Sequence, residues 1–157
     1  MLRATRRSPG RSARSWIARK TTTVTTPGTV KRTPQGLATS DGAGVRLTCL
    51  LTPDLQRRLD TFFMLDLFGT ANPGDCMGGF PGHLHRGFKT IATTLQGRMR
   101  QRDSAANVDF PAPGGVRWMT AGRGVIHSEM PKQHEIAVAG FQLWLNLPAH
   151  SKMQPPW

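Results

Sequence analysis

Two short patterns in this chain concentrate side chains that could bind a metal: His83-Leu84-His85 and His127-Ser128-Glu129. In a β-strand, residues two apart project to the same face. Each pattern therefore aims two side chains at one point, and two such strands facing each other assemble three imidazoles and one carboxylate. That donor set suits a divalent first-row transition metal rather than the oxygen-only preference of Ca2+ or Mg2+. It leaves iron, manganese, cobalt, nickel, copper and zinc open. A closed tetrahedral zinc site would be structural, whereas a metal preferring five or six ligands keeps room for O2 or a chelating substrate. The chain has five histidines and only two glutamates, and three of the former and one of the latter fall in these patterns.

The elements that would position them are short strands. Val45 to Leu50 is compact and β-branched and follows the turn cluster Asp41-Gly42-Ala43-Gly44. Phe62 to Phe68 is an apolar run closed by Gly69. Residues 72–82, rich in Gly and Pro, read as a loop that ends just before the first histidine pair. Gly87 to Leu95 and Met99 to Arg102 read as strands joined in a hairpin. Val116 to Thr120 and Val125 to Met130 follow, the latter starting after Gly122-Arg123-Gly124 and carrying the second pair. Both pairs are thus expected at strand starts. Phe141 to Leu147 alternates Phe and Leu with Gln142, Trp144 and Asn146, the pattern of a half-buried antiparallel strand. Seventeen glycines and twelve prolines suit many turns, and no long helical period occurs. The pattern predicts an all-β sandwich or barrel.

Charge divides the chain. Of 21 Lys and Arg, nine lie in residues 1–40, which contain no acidic residue. The net charge of +12 therefore splits into +9 there and +3 in the remainder. An isoelectric point of 11.5 would suggest a nucleic-acid binder, but the excess sits in a leader. Its Arg- and Ser-rich composition resembles that of an organelle transit peptide. The reading is a basic, disordered leader and linker at residues 1–37 and one domain at 38–157. Nucleic-acid binding is expected only through the leader. No apolar stretch is long enough to span a membrane. The expected location is cytoplasmic, with organelle targeting through the leader as the alternative. Cys49 and Cys76 show no CxxC spacing and read as free thiols.

From about Thr39 onward the chain resembles the N-terminal domain of the pirin family, a branch of the cupin superfamily. The matching stretches include Ser40-Asp-Gly-Ala-Gly-Val45, Phe63-Met-Leu-Asp66 with Phe68-Gly69, Gly79-Phe-Pro81 and His83-x-His85-Arg-Gly-Phe88. Further matches are Arg102-Asp-Ser104, Trp118-Met-Thr-Ala-Gly-Arg-Gly124 running into His127-Ser-Glu-Met-Pro131, and Gln142-Leu-Trp-x-Asn-Leu147-Pro148. The resemblance implies a double-stranded β-helix, the cupin jelly-roll barrel. It implies a mononuclear Fe2+ site with His83, His85, His127 and Glu129 on the four ligand positions. It also implies either a quercetin 2,3-dioxygenase-type activity on flavonols or an iron-dependent regulator that binds a transcription or metabolic protein partner.

In the enzymatic reading Glu129 doubles as general base, and Phe63, Phe80, Phe88, Trp118 and Met119 are candidate wall residues. Two positions depart from the family pattern. Lys89 stands where glutamate is usual, and on a continuous strand it would share the face of His83 and His85. Gln101 stands where many members have histidine. The family has two barrels, and the second is absent from this sequence. Its absence would leave an apolar surface for a homo-oligomer to cover.

Overall fold

The computed structural model describes residues 28–30, 32–69, 72, 78–132 and 137–157. Most of the basic leader, Cys76, and His134 and Glu135 lie outside the described residues. Among the described residues, every element belongs to the compact unit Pro34–Trp157. These are ten strands, one helical turn α1 (Pro53–Gln56) and a 3-10 turn at Ala149–Ser151.

The strands are β1 (Leu37–Asp41), β2 (Val45–Cys49), β3 (Phe62–Phe68), β4 (Phe80–His85) and β5 (Phe88–Gln96). They continue with β6 (Met99–Asp103), β7 (Val108–Asp109), β8 (Val116–Thr120), β9 (Val125–Pro131) and β10 (Ala139–Asn146). They form two antiparallel sheets, a six-stranded one in the order β1-β2-β3-β10-β5-β8 and a four-stranded one in the order β4-β9-β6-β7. This is the all-β sandwich that the short-strand pattern predicts, in the two-sheet form that the cupin resemblance implies. Most of its buried apolar side chains fall in two clusters. Val45, Leu47, Phe68, Met99 and Val138 make the larger, with Phe80 packed against it. Met119, Ala121 and Val125 make the smaller.

Three expectations are corrected. The runs 87–95 and 99–102 do not form a hairpin. β5 pairs with β10 and β8, while β6 pairs with β9 and β7. Gly97, at φ +72°, turns the chain from one sheet into the other. Local spacing cannot distinguish such a crossover from a hairpin, because both need only a tight turn between apolar runs.

The first histidine pair sits at the end of a strand, not at its start. β4 begins at Phe80 and includes Pro81 and Gly82, with an irregular register between Phe80 and His83. β4 is the edge of its sheet, where a proline removes no ladder hydrogen bond.

On β10 the polar-looking face points inward. Gln142 and Trp144 line the space between the sheets. Phe141 and Leu143 stand opposite Leu67 and Leu65 of β3 and Thr93 and Ile91 of β5, on the other face of the sheet. The alternation is as read, but the interior is a lined cavity rather than an apolar core.

β10 lies between β3 and β5, and close approach depends on Gly140. A Cβ there would run into the Thr93 carbonyl and approach the Phe68 ring to 2.5 Å. Gly140→Val is expected to lower the unfolding free energy by about 1–3 kcal/mol, as overpacking typically does. Urea denaturation followed by circular dichroism checks this, and an unchanged midpoint would contradict the packing described.

Candidate metal centre

β4 and β9 are antiparallel neighbours, and their register places His83 directly opposite His127. Parity adds His85 from β4 and Glu129 from β9 to the same face. One nitrogen each from His83, His85 and His127 lies within 4.8 Å of the other two. The three ring centroids are 4.4–4.6 Å apart. His85 and His127 are buried, at 4% and 2% exposure, and His83 is half-buried. Glu129, 5% exposed, lines the same cavity but is not part of the three-imidazole group.

A glycine corner fixes where the first pair ends. Gly87, at φ +82°, separates β4 from β5, a conformation that a residue with a Cβ rarely adopts. Its N–H donates to the Gly122 carbonyl at 2.8 Å. Its own carbonyl accepts from Lys152 Nζ, also at 2.8 Å. The corner breaks the parity that would have placed Lys89 beside the histidines. Lys89 lies instead on β5, with its ammonium 5.5 Å from both the Trp118 and Trp157 rings. A cation over two aromatic faces needs no carboxylate partner.

The histidines are prepared as ligands. The Nδ1 of His83 donates to the Pro81 carbonyl at 2.7 Å. That bond fixes the tautomer and leaves Nε2 as the acceptor and ligand atom, within hydrogen-bond reach of His85. This Nε2 lies 2.9 Å from Nε2 of His85. Neither ring nitrogen of His127 has a hydrogen-bond partner among the described residues. Buried polar atoms without partners are rare in native proteins, and a cation among the three rings would satisfy the inward-facing nitrogens. His85 packs edge-on against Phe88 and Trp144, each centroid 5.0 Å away, and these rings hold it in place.

Burial dominates the acid–base behaviour. It lowers His85 to about 4, helped by the neighbouring His83. It lowers His127 to about 3, helped by His85, His83 and Arg117. Both rings are therefore neutral near pH 7, the state that ligates. Burial pushes the Glu129 carboxyl up to about 7, against the pull of Arg117 and a hydrogen bond from Gln142 Nε2 at 3.4 Å.

The cavity has a volume of about 360 Å³, within the range of small-molecule sites. Both sheets line it, with Met64, Asp66 and Phe68 on one side and Phe80, Met99 and Gln101 on the other. Of the candidate wall residues, Phe80 lines it. Phe88 stands behind His85, stacked on Trp144 at 4.5 Å and parallel to Phe63 at 6.2 Å. Met119 belongs to the smaller core cluster, and Trp118 is exposed on the outside. Gln101, buried at 3%, stands opposite Glu129 across β6 and β9 and lines the cavity. Asp66, Gln142 and Trp144 were not singled out from the sequence. A buried carboxylate in an otherwise apolar strand, Phe-Phe-Met-Leu-Asp-Leu-Phe, was the available signal for Asp66.

These values set the pH response of the metal-free protein. Below pH 6.5 unfolded His85 and His127 take up protons that the folded site refuses. Glu129 acts oppositely, since folding raises its pKa from 4.5 to about 7. Between pH 6.5 and 4.5 the two histidines outweigh the one glutamate, so these three groups bind more protons when unfolded and their contribution to stability falls on acidification, while the Asp66 carboxyl, raised by burial, acts the opposite way. Urea midpoints measured across this window should show that decline. In His127→Gln one histidine and one glutamate nearly cancel, and the slope should flatten. An unchanged slope would sink the assignment.

The Pirin family profile matches residues 44–145. A pirin-like protein from Caulobacter vibrioides is 52% identical over 123 residues, 78% of this chain and 44% of that protein. Pirin from Homo sapiens is 41% identical over 118 residues, 74% of this chain and 39% of that protein. A solved quercetin 2,3-dioxygenase from Acinetobacter baumannii aligns with a TM-score of 0.72 at 27% identity, over 78% of this chain and 42% of that one. The chain thus spans less than half the length of each of these three relatives.

Proposed function

The chain belongs to the pirin family, a branch of the cupin superfamily, and corresponds to its N-terminal domain; from that premise we propose that it is a mononuclear iron protein acting on flavonol-like phenols in a quercetin 2,3-dioxygenase-type reaction. The observation that carries the reading is the group of three imidazole nitrogens within 4.8 Å, two of the rings buried and neutral. His83, His85 and His127 would hold the ion, with Glu129 as fourth ligand from the same cavity wall. Bound there, iron would supply Lewis acidity toward a hydroxyl–carbonyl pair and the means to use O2.

The remaining work falls to the protein. Released from the metal, the Glu129 carboxylate on the cavity wall would be the acceptor for the proton of a flavonol 3-hydroxyl. Gln142 donates to Glu129 Oε2 and orients it. Phe80, Met64 and Phe68 line an apolar wall that a planar aromatic ring can lie against while water is excluded. Phe88 and Trp144 keep the His85 ring from turning.

Loading the metal-free chain with Fe2+ under nitrogen should give about one ion per chain by elemental analysis, as a single mononuclear site requires. His127→Ala should reduce this at least about tenfold in affinity, the scale on which even ligand-orienting partners act. Adding quercetin in air should then bleach the flavonol band and release carbon monoxide. Failure to retain any of iron, manganese, cobalt, nickel, copper or zinc would sink the proposal. Stoichiometric metal without turnover would leave the regulator as the better reading.

A further inference from the structure

The cavity wall away from the imidazoles is more polar than holding an ion requires. Asp66 of β3 and Gln142 of β10 are direct cross-strand partners, and both line the cavity. Trp144, two residues along β10, lines it too and stands edge-on to His85. The row therefore runs from the imidazole group across to β3. Three atoms in it are buried and lack a hydrogen-bond partner among the described residues: Asp66 Oδ1, Gln142 Oε1 and Trp144 Nε1. Asp66 as a whole is only 6% exposed. The contact that Gln142 makes to Glu129 uses its Nε2, so its carbonyl oxygen is still available. None of the three residues belongs to the imidazole group.

The chemistry of the three atoms narrows what can meet them. The amide oxygen of Gln142 and an oxygen of Asp66 accept hydrogen bonds, and the indole N–H donates one. A phenolic hydroxyl donates and accepts at once, and the ring that carries it suits the Met64, Phe68 and Phe80 surfaces beside this row. A wholly apolar ligand would leave all three atoms unpaired. A carboxylate would be repelled by an ionised Asp66.

We infer that Asp66, Gln142 and Trp144 form a hydroxyl-recognising subsite that discriminates among ligands sharing one chelating hydroxyl–carbonyl pair by the hydroxyls they carry away from it. The inference rests on the flavonol reading above and deepens it. These are specificity residues. They select among ligands that would all reach the imidazole group equally well.

Two flavonols separate the subsite from the metal end. 3-Hydroxyflavone carries the chelating pair and no other hydroxyl, while quercetin carries the same pair and hydroxyls on both outer rings. Both are titrated by calorimetry under nitrogen into the full chain, metal-free and loaded with Fe2+. Quercetin should bind at least about tenfold more tightly in both states, because a site built to pair a hydroxyl penalises the analogue lacking it. In Asp66→Ala that preference should fall severalfold, through weaker quercetin binding with 3-hydroxyflavone little changed. Trp144→Phe keeps the ring and removes only the N–H, so it tests the same preference even if Asp66→Ala fails to fold. Equal affinity of the two flavonols for the Fe2+-loaded wild type overturns the subsite and leaves the flavonol reading standing. A preference that survives in Trp144→Phe and in folded Asp66→Ala also overturns the subsite. No binding of either flavonol to the Fe2+-loaded chain overturns both.

Discussion

Three imidazole rings crowded together, two of them buried, are the constraint on which the rest of this structure depends. Burial makes protonation of His85 and His127 unfavourable, and both nitrogens of His127 lack partners among the described residues. A protein keeps such an arrangement only where something relieves it, because each orphaned polar atom costs about 1–3 kcal/mol. The surrounding parts follow from holding the rings still. The Pro81 carbonyl sets the tautomer of His83, and Phe88 and Trp144 brace His85. The Gly87 corner, tied down by Lys152 and Gly122, ends β4 where the second histidine is needed.

The sandwich is unusual in what it puts inside. Its larger apolar cluster draws on β2, β3, β6 and Val138, while Asp66, Thr94, Gln101 and Glu129 are buried on the inner faces of other positions. Such polar interiors weaken folding unless every group is satisfied. Some here are satisfied within the fold, as where Gln142 meets Glu129. Others are not, and three of those atoms, Asp66 Oδ1, Gln142 Oε1 and Trp144 Nε1, belong to residues that line the cavity. The division suggests two regions of one interior, one that stabilises the domain and one that gives up stability to recognise a ligand.

Much of this was legible beforehand. The strands from Val45, Phe62, Val116 and Val125 follow from β-branched runs and turn residues, and the all-β fold from their spacing. The errors have identifiable causes. Pro81 and Gly82 looked like loop because proline excludes central strands, but β4 is an edge. Lys89 looked like a neighbour of the histidines because parity was carried through Gly87, where a positive φ resets it. Gln142 and Trp144 looked outward because the interior was taken to be wholly apolar.

The sequence by itself determined which side chains could share a face, since period-two alternation is set by the local backbone. It also determined family membership, because the motifs around both histidine pairs are carried residue by residue. Only the tertiary structure decided that His83 stands opposite His127, that Glu129 lies beside rather than within the imidazole group, and that Asp66 and Gln142 share one wall. Those facts depend on hydrogen-bond register between strands many residues apart. Register is set by packing and turn geometry over the whole sandwich, and local spacing does not encode it.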